Sequence, residues 1–301
     1  TVQVPKSPEA LWLYLACLRA GLVYQPLNDA YGKEEIAYFI GNAEPSLIVC
    51  DPANQALIAD LPKTRDCPVR TLGTNADGSL IEASRLCAPE FETTARNHED
   101  LAVLLYSSGT TGKPKGAMLT HGNLLSNVEA MVPIAFLQPD DILLSWLPYS
   151  HVYARLTDNY LATGAGITVA LAGSIDTLLD DLDAVKPTWL TAVPRFYEKI
   201  WTSVESLDEQ TRNSHLKDIF GPRIRQLSSG GAPLPRHVCD GFDQAGLPIF
   251  EGYGLTETSP VIAFNHAEAC RYGSVGLPIP GVEVRLAEDG EILTRGPHVM
   301  A

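Results

Sequence analysis

A series of short runs, apolar at nearly every position, constrains this chain more than any other feature: Ser46–Cys50, Leu101–Tyr106, Ile142–Leu147, Ile167–Leu171 and Trp189–Val193. A run of this length with no polar face suits a strand covered on both sides, as in a parallel sheet flanked by helices. Helix patterns lie between the runs. Pro8–Ala20 follows a good N-cap, Ser7, and has Glu9 in its first turn. Gly32–Asn42 closes on Gly41-Asn42. Further helices are expected from Met118 to about Met131 and over Thr177–Val185, Phe196–Val204 and Pro235–Ala245. Val23–Pro26, Ile224–Ser228 and Ile249–Glu251 read as additional strands. The alternation predicts an α/β fold with largely parallel sheets. After Gly273 the pattern changes to short strands, with Val282–Leu286 and Glu291–Thr294 separated by Asp289-Gly290, a hairpin signal. Asn75–Arg96 is polar, poorly patterned and expected to be an exposed connection.

The small, polar stretches fall at the C-terminal ends of these expected strands, at Ser107, Pro148, Pro194, Ser229 and Gly252. In open α/β sheets that edge is where ligands bind. The richest stretch is Tyr106-Ser-Ser-Gly-Thr-Thr-Gly-Lys-Pro-Lys-Gly116. Gly109 and Gly112 let backbone N–H groups approach an anion, Ser107, Ser108, Thr110 and Thr111 add neutral donors, and Lys113 and Lys115 add charge. A nucleotide polyphosphate suits that mixture. It is not the common P-loop: Pro114 stands where that motif has Ser or Thr, and Ser107 where it has its first Gly. A flexible Gly/Ser/Thr linker is the other reading, though linkers seldom carry paired lysines between fixed glycines.

A second constellation is Glu251-Gly252-Tyr253-Gly254-Leu-Thr256-Glu257. A tyrosine between glycines can offer its face to a planar base, Thr256 can donate to phosphate, and Glu257 can help hold Mg2+, which takes oxygen ligands. A tight turn whose Tyr packs in the core is equally compatible. The Ser229-Gly230-Gly231-Ala232 loop lets a ligand lie near the backbone, or simply joins a strand to a helix. His151, just past a strand end, is either a catalytic group or a hydrogen-bonded structural one.

Net charge is −14, from 36 acidic and 22 basic residues, which argues against nucleic acid and anionic lipid as partners. Six scattered cysteines, without a CxxC or Cys/His cluster, give no zinc signature, and a reduced cytoplasmic setting is expected. No apolar run is long enough to span a bilayer. Neither a Gly-x-Ser-x-Gly elbow nor a Gly-x-Gly-x-x-Gly fingerprint is present, which disfavours serine hydrolase and Rossmann readings.

Through these motifs, in order and over essentially its whole length, the chain resembles the AMP-forming acyl-CoA synthetases of the adenylate-forming ligase superfamily. Leu147–Ala154 resembles the family's histidine motif, and Val193-Pro-Arg-Phe-Tyr197 and Ser229–Leu234 also fit. The resemblance implies two packed αβα subdomains, 1–135 and 136–264, and at 265–301 the start of a β-rich distorted-barrel subdomain. It implies MgATP, a carboxylic acid and coenzyme A as reactants, with AMP and pyrophosphate released. Ser107, Ser108, Thr110, Thr111, Lys113 and Lys115 are then expected on the β/γ-phosphates, and Tyr253 on adenine. Gly230, Gly231 and Ala232 would lie beside the base, Thr256 at the α-phosphate, Glu257 on Mg2+ and His151 near the substrate carboxylate. The family also has a ribose-binding aspartate, a hinge and a small C-terminal domain supplying a lysine. None of these precedes Ala301, so an excised domain with weak activity by itself is the expectation. A medium- or long-chain fatty acid is the favoured substrate. The full-length protein would then also suit peripheral membrane association, as in some fatty-acyl ligases. The alternatives are a malonate-type dicarboxylate, which would want a buried arginine such as Arg155 or Arg195, a carrier-protein-loading domain, or a nucleotide-binding fragment that is catalytically impaired.

Overall fold

The computed structural model describes residues 1–61, 64, 67–107 and 114–301. Its contacts divide the chain into two compact units: Thr1–His121 with Pro148–Ser150, and Gly122–Leu147 with His151–Ala301. The helix that starts at His121 therefore begins at the division, fourteen residues before the sequence-expected break after 135.

In the first unit, β1 (Val2–Gln3), β2 (Ile48–Cys50) and β3 (Val69–Thr71) form a parallel sheet in that order. Helix α1 (Pro8–Arg19) starts as expected, with Ser7 Oγ accepting the Ala10 N–H at 3.1 Å. Helix α2 (Lys33–Ala43) runs through Gly41 and Asn42, and the left-handed residue that stops it is Glu44. Ile36 and Ile40 on α2 pack against Ile48, Cys50, Ile58 and Leu61. Short helices α3 (Gln55–Ala59) and α4 (Ser79–Ser84) complete the layer, the second lying in the otherwise exposed 75–96 stretch. Val23–Pro26 forms single parallel bridges, Tyr24 to Val103 and Val2 to Pro26, instead of a continuous strand. Proline supplies no N–H to extend a ladder there.

Strand β4 (Leu101–Ser107) ends where expected, but a second strand, β5 (Lys115–Thr120), follows and pairs with it antiparallel. The helix expected from Met118 starts three residues later, as α5 (His121–Ile134). The burial along Lys115–Thr120 follows no strict two-residue alternation, so the strand has no clear period in the sequence and is fixed by its ladder with β4.

In the second unit, β6 (Ile142–Ser145), β7 (Thr168–Leu171), β8 (Trp189–Ala192), β9 (Gln226–Ser229) and β10 (Ile249–Gly254) run parallel in the order β7-β6-β8-β9-β10. Antiparallel β11 (Val261–Phe264) and β12 (Leu277–Pro278) extend the β10 edge. The helices are α6 (Val152–Ala154), α7 (Ala162–Ala165), α8 (Leu178–Val185), α9 (Pro194–Val204), α10 (Glu209–Phe220) and α11 (Arg236–Gln244). A π-helical stretch, Arg155–Leu161, joins α6 to α7. The core sets Leu190, Leu227 and Ile249 of the sheet against Tyr197, Trp201, Phe220 and Phe242 of the helices. The predicted C-terminal hairpin is present as β13 (Glu283–Leu286) and β14 (Ile292–Arg295). The α/β class and the parallel sheets are as expected. No helix among the described residues is long and apolar enough to cross a membrane.

Candidate functional site

In the first unit, the feet of the Tyr106–Gly116 loop are well held. Ser107 closes β4 directly opposite Lys115, which opens β5 with its side chain exposed. Tyr38 Oη donates to the Pro114 carbonyl at 2.8 Å, and Tyr106 Oη donates to Asn42 Oδ1 at 2.6 Å. The Tyr106 ring lies 4.6 Å from that of Phe39, so α2 supports both ends of the loop. A Cβ on Gly116 would come within 2.9 Å of Leu104 Cδ1, so that side-chain end would have to shift to admit it. The residues between, Ser108, Gly109, Thr110, Thr111, Gly112 and Lys113, lie outside the described residues.

In the second unit, the Ser229 loop leaves β9 with Gly230 buried and Gly231 and Ala232 exposed. Gly231 has φ +85° and open space around its Cβ position, so its backbone is accessible. At Gly230 a Cβ would sit 3.0 Å from the ring of Tyr153. The strand end beneath is polar: Tyr197 Oη donates to the Ser228 carbonyl at 2.9 Å, and Thr191 Oγ1 lies 3.1 Å from Ser228 Oγ. Burial drives the Tyr197 phenol far above its ordinary range and also raises that of Tyr153. Both hydroxyls therefore stay neutral hydrogen-bonding groups.

Glu251 is buried on β10. Its carboxylate accepts the Leu234 N–H at 3.1 Å, and the Cys239 thiol lies 3.9 Å away. Burial, then the negative Glu251, push the Cys239 thiol up to about 12, which keeps it protonated and unreactive. This carboxylate thus ties the Ser229–Leu234 loop to the start of the Gly252 loop. Gly252 pairs with Phe264 and Tyr253 with Ala263, followed by a bulge before Gly254. A Cβ on Gly254 would meet Pro260 O at 1.8 Å, so only glycine fits. The Leu255 N–H donates to that same carbonyl at 3.1 Å. Thr258 Oγ1 reaches it too, and accepts the Leu255 N–H at 2.9 Å. The result is a cross-braced loop that presents Tyr253 half-exposed and sets Thr256 and Glu257 on a single 3-10 turn, Thr256–Thr258.

His151 is exposed, immediately before α6, and its carbonyl accepts the Arg155 N–H at 3.1 Å. Of the two arginines weighed for a dicarboxylate, Arg155 is buried, 1% exposed, with Nε donating to Tyr160 Oη at 2.9 Å, whereas Arg195 is exposed. Missed from sequence were the buried polar π-helical stretch and the asparagines of α5 described below. The π-helix carries Arg155, Thr157, Asp158 and Asn159 in an all-buried run, whose charge and amides gave no periodic signal.

Small-residue loops at the carboxyl edge of a parallel sheet define a nucleotide-binding α/β enzyme. The chain belongs to the AMP-binding enzyme family, which it matches over residues 1–301. It is 32% identical over 341 residues to the long-chain-fatty-acid–CoA ligase FadD15 of Mycobacterium bovis, covering 96% of this chain and 56% of that protein. It is similar to the solved ATP-bound MatB of Rhodopseudomonas palustris, with TM-score 0.87, 36% identity and coverage of 99% of this chain and 60% of that one. It is also similar to a malonyl-CoA ligase solved with methylmalonyl-CoA and AMP, with TM-score 0.78, 27% identity and coverage of 100% and 63%. The chain thus spans little more than half the length of the curated relative. The family resemblance carried by the motifs is borne out.

Proposed function

We propose that this chain carries the nucleotide- and acid-binding residues of an AMP-forming acid–thiol ligase. The observation that carries the reading is the cross-braced Gly252–Glu257 loop, which offers an aromatic face, a hydroxyl and a carboxylate at one strand end. Relatives that bind ATP or bear the name fatty-acid–CoA ligase support it.

In this reading a substrate carboxylate oxygen attacks the α-phosphorus of ATP, the bond to the β-phosphate oxygen breaks, and acyl-AMP and pyrophosphate result. The thiol of coenzyme A then attacks the acyl carbon and AMP leaves with the bonding pair. Ser107, Ser108, Thr110, Thr111, Lys113 and Lys115 hold the β/γ-phosphates, with Gly109 and Gly112 allowing close backbone approach. Tyr253 stacks on adenine, and Gly230, Gly231 and Ala232 line its edge. Thr256 donates to the α-phosphate, and His151 orients the acid. Glu251, Gly252 and Gly254 shape the loops. Catalysis of this kind is mostly positioning and charge neutralisation.

Mg2+ fits the residues present. No group of three His, Cys, Asp or Glu among the described residues could hold a metal alone. A hard cation on one carboxylate, Glu257, with phosphate oxygens and water for its remaining ligands, is the usual arrangement for Mg2+ on a nucleotide. When bound, it neutralises phosphate charge.

The acid proposed is a medium- or long-chain fatty acid, a choice supported by the FadD15 relative, which is named a long-chain-fatty-acid–CoA ligase. A small dicarboxylate is the second reading, favoured by the buried Arg155 and by the likeness to a malonyl-CoA ligase. The deciding experiment gives the full-length protein a panel from malonate through octanoate to palmitate, with pyrophosphate, AMP and acyl-CoA measured. Fatty acids turning over faster than malonate, with AMP and pyrophosphate in equal amounts, is the expected result. Fastest turnover of malonate selects the second reading. ADP in place of AMP overturns both, and acyl-AMP that coenzyme A does not consume points to carrier-protein loading.

A further inference from the structure

Helix α5 carries two asparagines four residues apart, Asn123 and Asn127, on one face and both buried, at 8% and 0% exposure. Asparagine is a poor helix former, and a buried amide is costly unless its hydrogen bonds are made. Both amides here are used, and both lead to the turn that bears Thr256 and Glu257. Asn127 Oδ1 accepts the Val261 N–H at 2.9 Å, while its Nδ2 faces the carbonyls of Val261 at 3.4 Å and Thr258 at 3.5 Å. Asn123 Nδ2 donates to the carbonyls of Pro297 and Val299, each at 2.8 Å. The next residue, Met300, donates its N–H to the carbonyl of Glu257 itself at 2.9 Å. The turn is therefore gripped on its C-terminal side by one asparagine directly and at Glu257 by the other through one intervening strand of backbone.

We infer that Asn127, with Asn123 as a second brace, is a positioning residue for the Glu257 carboxylate. The side-chain hydrogen bonds named above all go to backbone, and they fix the backbone from which the carboxylate projects. A single carboxylate on Mg2+ has no neighbouring protein ligand to correct its aim, so the outer hydrogen bonds must fix its direction. The inference rests on the reading of Glu257 as the Mg2+ carboxylate.

The test is a double-mutant cycle in MgATP affinity, measured by calorimetry on the full-length protein, with melting temperature recorded for each variant. Asn127→Ser is expected to weaken MgATP binding about tenfold, the lower end of the range for losing outer hydrogen bonds around a metal site. In a Glu257→Gln background the same substitution should cost almost nothing further, because the group it aims has gone. An equal loss in both backgrounds, or wild-type affinity in Asn127→Ser, overturns the inference and leaves the asparagine a packing residue. Wild-type affinity in Glu257→Gln overturns the metal reading itself, and this inference with it. Should Asn127→Ser fail to fold, Asn123→Ser enters the same cycle, and additivity there is the overturning result.

Discussion

Single atoms decide the shape of the Gly252–Glu257 loop. Gly254 was read from sequence as one of two glycines freeing a tyrosine, but its tighter constraint is the Pro260 carbonyl at 1.8 Å from any Cβ it might carry. Gly231, in the loop after the preceding strand β9, has φ +85° and open space. The two glycines should therefore respond differently to alanine. Gly254→Ala forces the brace apart, and a loss of about 1–3 kcal/mol is expected together with weaker MgATP binding. Gly231→Ala meets only the left-handed backbone cost, about 1 kcal/mol. Denaturant midpoints and nucleotide affinities for the pair check this; equal effects would show that backbone freedom, not the carbonyl contact, governs Gly254. The motif's residue types were legible beforehand because phosphate, base and metal each demand particular chemistry. The Pro260 contact was not, since it depends on where β11 returns. Glu251 shows the same limit: its carboxylate engages Leu234 and Cys239, partners that the motif around it does not announce.

At the level of elements, local signals were reliable where they were strong. Ser7, Pro8 and Glu9 announce α1, and the structure uses them as read. Ser7→Ala should cost about 1 kcal/mol, because Ser7 is buried and its oxygen satisfies the otherwise orphaned Ala10 N–H. An unchanged urea midpoint would mean that water or a neighbouring group substitutes for the cap. Elements were missed where the pattern was diluted. Helix α10 has an Asp208 cap, but its buried face is only Leu216 and Phe220, so Glu209–His215 reads as polar loop. Strand β5 reads in sequence as a loop running into a helix because Lys115–Thr120 has no regular two-residue burial period; it is the pairing with β4 that settles its conformation. The consequence reaches function: the phosphate-type loop sits in a hairpin, not between a strand and the N-terminus of a helix as in a P-loop.

At the scale of the whole molecule, one buried carboxylate ties several distant segments together. Asp141 is 2% exposed and precedes β6; it accepts the Gln138 N–H at 2.7 Å, Thr188 Oγ1 at 2.6 Å and a charged hydrogen bond from Arg225. Its carbonyl accepts the Thr168 N–H at 3.0 Å. The starts of β6, β7, β8 and β9 thus meet at one residue. Burial raises its affinity for a proton, but the hydrogen bonds from Arg225, Thr188 and Gln138 outweigh that and hold the carboxyl below its ordinary value of about 3.9. A depressed pKa contributes stability that is full above the unfolded value and is lost as pH falls through the folded one. Asp141→Asn should therefore be less stable than wild type at neutral pH, and the gap should close as pH falls below about 4. A gap that stays constant in urea titrations across that range would rule out this ionisation as its source.

The sequence by itself determined the α/β class, the strand-end placement of the motifs and the family. Each of these follows from the period of apolar residues or from the chemistry of small groups of neighbours in the chain. Only the tertiary structure decided which strands pair, that Pro148–Ser150 belongs with the first unit while its flanks belong with the second, and that Asn123 and Asn127 brace the Glu257 turn. Those facts depend on contacts between residues far apart in the chain. One sequence encodes such contacts only through the packing of the whole, which no local pattern expresses.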